Sequence, residues 1–372
     1  MRAVLAFVMV AALLGSATAG PVDEPVARYA PKGMPGQPTG GSRVFAGTEY
    51  LYVATLQTIA PRTAGVAGAG AMIIQADPAL GIGDAHSLAE IAVQSADQRQ
   101  IVEIGWTVDP GVNNDLQPHV FAFHWVDGEP SCYNGCGWVQ VSPHRRPGMR
   151  VSPGEPHRYE IKLVNDDWWL FYDGEGMGYY PQSLWGGRFK AAGLTQWFGE
   201  VAAGVASPCT HMGNGKLGAD PAAASFDELR LFDSQGASVA AAAEMGALTN
   251  PALYTLGRLT PTSFAFGGPG AATGCCTPST CLAAGAECGS IPDSICAGNT
   301  LACGTCGGTD VCTADHLCPS GVGPRDDGDA YDVPADRGSG GCCDAGGGGP
   351  GVLVLGALVA LGVLVPARLR TR

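Results

Sequence analysis

The sequence predicts an all-β protein: an antiparallel β-sandwich of two sheets, jelly-roll or concanavalin-like, followed by a small disulfide-rich module. Two observations predict this class. From about residue 44 to residue 236, short runs of valine, isoleucine and aromatic residues alternate with Gly, Pro, Asp and Asn, a pattern typical of strands joined by turns. Residues 275–318 hold nine cysteines and few apolar residues. Such a module cannot bury a sufficient core, so disulfides must hold it.

Several runs in the β region have the length and composition of strands. No stretch of this region shows a convincing helical period with caps, so strands are expected throughout. Examples are residues 50–59, 101–108, 119–126, 138–142, 157–164, 168–172 and 225–232.

The first 19 residues have the pattern of a secretory signal peptide. Arg2 precedes an apolar run that ends at Leu14, and small residues follow up to Ala19. The run is too short to span a bilayer, so cleavage is expected after Ala19. Residues 20–47 are rich in Pro, Gly and Ala, and we interpret them as a linker or a short pro-segment. The β domain is then expected at residues 48–236.

Composition divides the rest of the chain into four segments. We interpret residues 237–274 as a linker with one short helix at residues 240–248, and residues 275–318 as the cysteine-rich module. Residues 319–350 are a spacer rich in Gly and Asp, and residues 351–372 are an apolar segment with a basic end.

The C-terminal segment resembles the MYXO-CTERM sorting tails of myxobacteria and their relatives. Cys342 and Cys343 follow glycines and precede the apolar run, and Arg368, Arg370 and Arg372 end the chain. The resemblance implies a transient membrane helix, recognition by sorting and processing machinery, and delivery to the cell surface or outer envelope. A plain single-span anchor is the alternative, because fifteen apolar residues are marginal for a span.

Charge and missing motifs exclude several functions. A formal net charge of -13 and a pI near 4.8 argue against nucleic-acid binding, since no basic cluster outside the tail could neutralise phosphates. The motifs G-x-S-x-G and H-E-x-x-H and a phosphate-binding glycine loop are absent. We therefore predict no cofactor and no metal. In an exported chain the spacing of Cys303 and Cys306 indicates disulfides before zinc.

Cysteine counts suggest a link between the β domain and the module. Cys132 and Cys136 can pair locally, which leaves Cys209 alone in the β domain and an odd number in the module. A bond from Cys209 to Cys275 or Cys276 would make both counts even.

Two glutamates within strands are the candidate catalytic residues. Side chains alternate along a strand, so Glu103 projects with Gly105 away from the core face, and the missing side chain of Gly105 leaves room for a ligand. By the same alternation Glu200 lies with Gln196 and Phe198, away from Trp197. Two facing carboxylates would repel and share one proton, an acid–base pair suited to activating water.

Six segments in order resemble the neprosin family of glutamic peptidases. They are SLAEIAV from residue 87, IVEIGWTVDP from 101, SCYNGCGWVQVS from 131, DWWLFY with GYYPQSLW from 167, WFGEV from 197 and THMGNG from 210. The resemblance covers roughly residues 48–236. It implies a β-sandwich in which Glu103 and Glu200 activate water for peptide-bond hydrolysis.

The resemblance also implies that one glutamate is the general base and the other stabilises the oxyanion, but it does not decide which of Glu103 and Glu200 has which role. We assign the general base to Glu200 and oxyanion stabilisation to Glu103, and the reverse assignment is the alternative. Protein or peptide substrates are expected, cleaved at acidic pH and after proline. The candidate substrate-binding residues are Gln196, Trp197, Phe198, Tyr179 and Tyr180.

The chain departs from the family pattern at several points. Phe198 stands where glycine is usual, next to Glu200, and would narrow the cleft. Cys132 and Cys136 are one residue closer than expected. The pro-domain is absent or reduced to about 28 residues, which argues against control by zymogen cleavage. The alternative functions are a non-catalytic carbohydrate- or surface-binding sandwich and a glycosidase, since two glutamates also suit that chemistry.

Overall fold

The computed structural model describes residues 25–30, 32–35, 43–45, 47–59, 65–271, 278–296, 299–306 and 309–319. The predicted signal peptide and the apolar C-terminal segment lie outside these residues, as does the spacer from residue 320 onward. Within the described part of the chain, no helix is long and apolar enough to cross a membrane.

Strands form nearly all of the regular structure in these residues. They are β1 (Arg43–Phe45), β2 (Thr48–Thr58), β3 (Val66–Ile74), β4 (His86–Gln94), β5 (Ile101–Val108), β6 (His119–Val126), β7 (Glu129–Pro130), β8 (Val139–Gln140), β9 (Pro156–Val164), β10 (Asp167–Tyr172), β11 (Glu175–Tyr180), β12 (Leu194–Ala203), β13 (Ala224–Asp233), β14 (Ser238–Ala240), β15 (Glu244–Leu248), β16 (Thr255–Thr260), β17 (Ser263–Gly267), β18 (Ser290–Pro292) and β19 (Thr300–Ala302). A short helix α1 (Pro110–Asn113) and a 3₁₀ turn (Gln182–Trp185) interrupt them.

Two antiparallel sheets form the sandwich, as predicted. The first, here called the cleft sheet, has the order β1-β2-β12-β4-β5-β6-β7, with β15 paired to β2. The second, the outer sheet, has the order β16-β17-β13-β3-β9-β10-β11-β8, with β14 paired to β13. The strands β18 and β19 pair separately in the cysteine-rich module.

The predicted alternation of β5 and β12 is confirmed by the core between the sheets. Val102, Ile104 and Trp106 of β5 are buried there, and Trp197 and Val201 of β12 join the same cluster. The opposite face of the cleft sheet, which alternation leaves for Glu103 and Glu200, is also buried. A second cluster covers it, rich in aromatic side chains from β2, β6 and β12 together with Tyr133.

Sequence pattern located some strands and missed others. The strands β5 and β6 begin and end where predicted. The central strand β3 was missed because its sequence, VAGAGAMII, has few β-branched or aromatic residues. Its glycines serve close packing: a Cβ atom on Gly68 would lie 2.1 Å from the Ile161 carbonyl oxygen of β9. Local composition does not reveal such an approach.

The predicted linker and helix after residue 236 are wrong. Residues 238–267 form β14 to β17, which pair with β13, β2 and each other. The alanine-rich stretch favours a helix locally, but Ala247 packs into the cluster on the cleft sheet and Phe264 and Phe266 into the core. Burial against existing strands overrides helix propensity, so the sandwich extends to Gly267.

Disulfides hold the cysteine-rich module, as predicted. The described pairs are Cys281–Cys303, Cys288–Cys312 and Cys306–Cys318, and Cys132–Cys136 closes a loop of the sandwich. The sulfurs of Cys288, Cys306 and Cys318 lie close together, but each belongs to one of these disulfides. Cys209 is also disulfide-bonded. Its predicted partners, Cys275 and Cys276, lie outside the described residues.

Candidate active site

Three carboxylates meet on the face of the cleft sheet that points away from the core, here called the carboxylate face. Glu90 belongs to β4, Glu103 to β5 and Glu200 to β12. Antiparallel register places them in neighbouring rows, because Ala92 lies opposite Glu103 and Phe198 lies opposite Glu90. All three side chains are fully buried. Buried carboxylates are costly unless they are paired, so this face needs a cation or shared protons.

Lys32, from the segment that precedes the sandwich, supplies the cation. Its Nζ atom lies 2.7 Å from Glu90 Oε1, 3.3 Å from Glu103 Oε2 and 3.7 Å from Glu200 Oε2. Since the last two distances add to 7.0 Å, the contacting oxygens of Glu103 and Glu200 are no farther apart than that. The two predicted glutamates therefore converge on one point.

The pKa values of these two glutamates move in opposite directions. Burial raises the pKa of Glu103 to about 7, although the charge of Lys32 opposes the shift. Burial also acts to raise the pKa of Glu200, but Lys32 and His86 outweigh it and hold that pKa below its ordinary value. At mildly acidic pH the site holds a protonated Glu103 beside an ionised Glu200. An acid and a base need this asymmetry.

Glu90 and Lys32 are shifted by the same cluster. Burial raises the pKa of Glu90 well above its ordinary value, and the charge of Glu103 adds to the rise. Burial alone would lower the pKa of Lys32, but the charges of Glu103, Glu200 and Glu90 outweigh it and raise that pKa. Lys32 is therefore an ammonium ion within this cluster.

His86 connects Glu200 to a third acid behind it. Its Nε2 atom lies 2.8 Å from Glu200 Oε1, and its Nδ1 atom lies 3.5 Å from Asp109 Oδ2. Asp109 is held in place as the N-cap of α1, where its Oδ1 accepts hydrogen bonds from the backbone N–H groups of Gly111 and Val112. The sequence Asp-Pro at the end of β5 thus orients the imidazole and, through it, Glu200.

Glu103 has its own fixed partner. The indole Nε1 of Trp125 on β6 donates a hydrogen bond of 3.1 Å to Glu103 Oε1. The second oxygens of Glu103 and Glu200 face the Lys32 ammonium at 3.3 and 3.7 Å. The second oxygen of Glu90 is buried and has no hydrogen-bond partner among the described residues. Buried acceptors are usually satisfied, so this oxygen is available to water or substrate.

The family profile of Neprosin matches residues 83–269, just over half of the chain. This match spans β4, β5 and β12 and so includes all three carboxylates. The chain belongs to the neprosin family. It is accordingly a glutamic endopeptidase, a hydrolase of peptide bonds.

Solved structures similar to this neprosin-family chain include a glutamic peptidase and a glucanase. Scytalido-glutamic peptidase with a peptide-based transition-state analogue is 12% identical, with a TM-score of 0.35 over 59% of this chain and 98% of that one. The β-glucanase of Bacillus licheniformis is also 12% identical, with a TM-score of 0.26 over 48% and 81% of the two chains. At these values neither likeness bears on activity.

Two of the five predicted substrate-binding residues lie on the carboxylate face of this neprosin-family sandwich. Phe198 packs edge-on against Tyr52, with ring centroids 5.9 Å apart, and Lys32 Nζ lies 5.7 Å from its ring. Gln196 is buried in the same strand and accepts a hydrogen bond from Gln94. Both positions follow from the alternation of β12.

The other three predicted substrate-binding residues lie elsewhere, so these predictions are corrected. Trp197 is in the core and donates from Nε1 to the Gly70 carbonyl oxygen at 3.3 Å. Tyr180 is buried in the same core. Tyr179 lies on the outer sheet and stacks on Trp169 at 4.9 Å. The sequence could not exclude Tyr179 and Tyr180, because they belong to a different sheet from the glutamates.

Sequence reasoning also missed residues that the site contains. Glu90 lies within the family segment SLAEIAV, and its alternation with Leu88 and Ala92 could have placed it on the carboxylate face. Gly105 makes room for the neighbouring strand β4 rather than directly for a ligand, because a Cβ atom there would lie 2.0 Å from the Ala89 carbonyl oxygen and 2.7 Å from the Cα and Cβ atoms of Glu90. No local signal points to Lys32, which precedes the β domain by sixteen residues.

Proposed function

We propose that this neprosin-family protein hydrolyses peptide bonds at acidic pH with Glu200 as general base and Glu103 as its protonated partner. The observation that carries the proposal is the convergence of both carboxylates on one point with opposite pKa shifts. Neither the pair's chemistry nor the pH follows from family membership alone; the geometry of the site supports both.

The surroundings of the two glutamates support this division of roles. Glu200 takes a proton from a water molecule, and the water oxygen adds to the carbonyl carbon of the substrate. Glu103 donates its hydrogen bond to the carbonyl oxygen as negative charge develops there. Glu200 then passes the proton to the leaving amine, and the C–N bond breaks. His86 favours an ionised Glu200, while burial favours a protonated Glu103.

Glu90 adds a third titratable group to the site. Its pKa is raised well above the ordinary value, so it is neutral at the acidic pH proposed for catalysis. A neutral carboxyl can donate as well as accept a hydrogen bond. In this role Glu90 holds substrate or water between β4 and β12 and adds no negative charge against the oxyanion.

A preference for proline remains part of the proposal. A proline ring needs a flat apolar wall, and the edge-on pair of Phe198 and Tyr52 beside Glu200 provides one. Phe198 is the residue that replaces the usual glycine of the family pattern. We therefore place the cleft's specificity at this position.

Export is likewise proposed. Disulfides form and persist in oxidising compartments, and the described residues of the sandwich and the module contain four bonds with both partners placed. Together with the predicted signal peptide, this supports an exported protein. The sorting tail and its processing machinery remain predictions.

The test is cleavage of a proline-rich protein such as casein by the whole chain between pH 3 and pH 7, with fragments identified by mass spectrometry. Glu103→Gln and Glu200→Gln should each lower kcat/KM by about 10² to 10⁴-fold. Glu244→Gln is the matched control, because Glu244 is exposed on β15, outside the site. Full activity in both site variants would overturn the assignment of Glu103 and Glu200 as the catalytic pair. Cleavage only at bonds that precede proline would overturn the proposed preference for cleavage after proline.

A further inference from the structure

The cysteine-rich module packs on the loop between α1 and β6, residues 114–118. The Leu116 N–H donates to the Ala302 carbonyl oxygen of β19 at 3.1 Å. The Leu116 side chain packs against a cluster of the module that includes Leu301 and Cys303. Residues 114–118 belong to neither sheet. Hydrogen bonding and packing against the module therefore help to hold a loop that the sheets do not include.

An ion pair fixes the same loop beside the module. Arg150 Nη2 lies 2.8 Å from Asp115 Oδ2 and donates to the Cys303 carbonyl oxygen at 3.3 Å. The module backbone also approaches this pair closely at Gly304, where a Cβ atom would lie 2.1 Å from Arg150 Nη2 and 2.8 Å from Asp115 Oδ2. Both charged side chains are less than a tenth exposed. Because a buried charge that loses its partner is costly, this pair strongly favours the docked module.

The loop continues directly from the helix that supports the proposed base. Asp109 is the N-cap of α1 and Asn114 is its C-cap. A helix of four residues is not stable by itself, so the position of α1 depends on the chain on either side of it. Asp109 Oδ2 lies 3.5 Å from His86 Nδ1, and His86 Nε2 lies 2.8 Å from Glu200 Oε1. Movement of residues 114–118 would thus reach the base through one short helix and one imidazole.

We infer that the cysteine-rich module positions Glu200: its contact with residues 114–118 holds α1 in place, and α1 carries Asp109. Asp109 in turn fixes the imidazole of His86. The inference rests on the proposed function, in which Glu200 must be ionised and directed at the reacting water. It gives the module a role in catalysis that requires no contact with substrate.

Two buried acids make the contact with the module depend on pH. Burial acts to raise the pKa of Asp115, but His119 and Arg150 outweigh it and hold that pKa below its ordinary value, so the ion pair persists into acid. Burial raises the pKa of Asp77 to about 6, although Thr280 of the module and Arg150 oppose the rise. The contribution of Asp77 to docking is therefore fullest below about pH 4 and is lost as pH rises through about 6. Together these acids favour the docked module most at mildly acidic pH.

Two titratable groups near Asp109 respond to its charge. Tyr133 stays neutral, because burial raises its pKa well above the ordinary value and the charge of Asp109 adds to the rise. The imidazole of His86 is stabilised as a cation by Asp109 and Glu200, which outweigh its burial and raise its pKa. If Asp109 moves away, the pKa of His86 should fall and that of Glu200 should rise. The other charged groups around Glu200 are Lys32, Glu90 and Glu103.

Two variants of the whole chain disturb the contact from opposite sides. Gly304→Ala changes only the module, and its Cβ atom takes the space of the Arg150 guanidinium. Arg150→Met changes only the sandwich and removes the charge. The matched control for Gly304→Ala is Gly285→Ala in the same module: both glycines have a positive φ, +79° and +68°, but a Cβ atom on Gly285 meets nothing within 4 Å. Backbone strain is therefore alike in the two alanine variants. The control for Arg150→Met is Arg188→Met, which removes an exposed ion pair.

Both variants should move the acid limb of the profile of kcat/KM against pH to higher pH. The expected loss at low pH is about threefold, with a smaller loss at the optimum, and neither control should move the limb. In an Asp109→Asn background, Gly304→Ala should add nothing to the shift, because the route to Glu200 is already interrupted there, whereas independent effects would add. An additive shift would overturn the route through Asp109. An unmoved limb in both Gly304→Ala and Arg150→Met would overturn the inference as a whole.

The titration of His86 separates this inference from the proposed function. Its imidazole resonances, assigned by comparison with His86→Gln, should titrate at lower pH in Gly304→Ala and Arg150→Met than in the natural sequence and the two controls. A lowered titration in a protein without any peptidase activity would refute the proposed function and leave the positioning of His86 by the module intact. A titration of His86 that is unchanged in both variants would overturn the inference, even if activity fell.

Discussion

His86 Nε2 lies 2.8 Å from Glu200 Oε1, and both side chains are completely buried. The other imidazole nitrogen faces Asp109, which is fixed as the N-cap of α1. An imidazole between two carboxylates is stable as a cation, since both ring nitrogens can then donate. Although burial alone would lower the pKa of His86, Asp109 and Glu200 outweigh it and raise that pKa. His86 is thus a positioning residue that keeps the proposed base ionised.

Replacing His86 should move the acid limb of the pH profile. In His86→Gln the pKa of Glu200 rises, because it loses a cationic partner, so kcat/KM should begin to fall at a higher pH on acidification. The expected loss at low pH is about tenfold, with a smaller loss at the optimum. Asp109→Asn should shift the limb in the same direction by less.

The control for this prediction is His144→Gln, since His144 is exposed on a loop. A profile of His86→Gln that is lowered equally at every pH would show a structural defect instead of a titration effect. Thermal unfolding measured beside the kinetics detects such a defect directly.

Trp125→Phe should shift the alkaline limb instead. The indole hydrogen bond lowers the pKa of Glu103, so its loss raises that pKa and keeps Glu103 protonated to higher pH. Activity should persist further towards neutral pH, while kcat falls by about tenfold because Glu103 is less well oriented. Trp169→Phe, on the outer sheet, is the control. If the alkaline limb of Trp125→Phe moves to lower pH instead, the assignment of Glu103 as the acid is contradicted.

Trp197→Ala should act on stability rather than on substrate binding. Trp197 is buried between the sheets, so its truncation should cost about 3 to 5 kcal/mol of unfolding free energy. Chemical denaturation measures this loss. Phe198→Ala, one residue along on the carboxylate face, should instead change KM and the residue preferred before the cleaved bond. A raised KM with unchanged stability in Trp197→Ala would restore it as a substrate-binding residue.

Arg150 joins the cysteine-rich module to the sandwich, and its removal should loosen that contact. Its guanidinium lies 2.8 Å from Asp115 Oδ2 and donates to the Cys303 carbonyl oxygen at 3.3 Å. Arg150→Met should destabilise the protein by about 3 to 5 kcal/mol at neutral pH, as expected when a buried pair loses one partner. Limited proteolysis should then cut first at the module.

This contact should also be sensitive to acid. Burial acts to raise the pKa of Asp115, but His119 and Arg150 outweigh it and lower that pKa below the ordinary value. A depressed pKa means that the stabilisation is present above the unfolded-state pKa and is lost as pH falls through the folded-state one. The difference in stability between Arg150→Met and the natural sequence should therefore shrink below about pH 4. A constant difference down to pH 2 would contradict the role of the ion pair.

Strand pattern alone was sufficient for the sandwich and for the face on which Glu103 and Glu200 lie. Alternation is a local property with a period of two residues, so IVEIGWTV and LTQWFGEV reveal which side chains oppose the core. The short, regularly spaced runs predict antiparallel strands in the same way. The family segments assign a role to both acids, and the cysteine content predicts a module held by disulfides.

Only the tertiary structure decided what surrounds these acids. The strand β12 is far along the chain from β4 and β5, and the register of the sheet brings Glu90 and His86 beside the predicted pair. The stretch that forms β15 is alanine-rich and locally favours a helix, but pairing with β2 makes it a strand. Lys32 reaches the carboxylates by long-range packing of a proline-rich segment without a regular period. A buried cluster of acids is stable only with a cation or a proton among them. This requirement, rather than sequence spacing, places the charge of Lys32 beside Glu103 and Glu200.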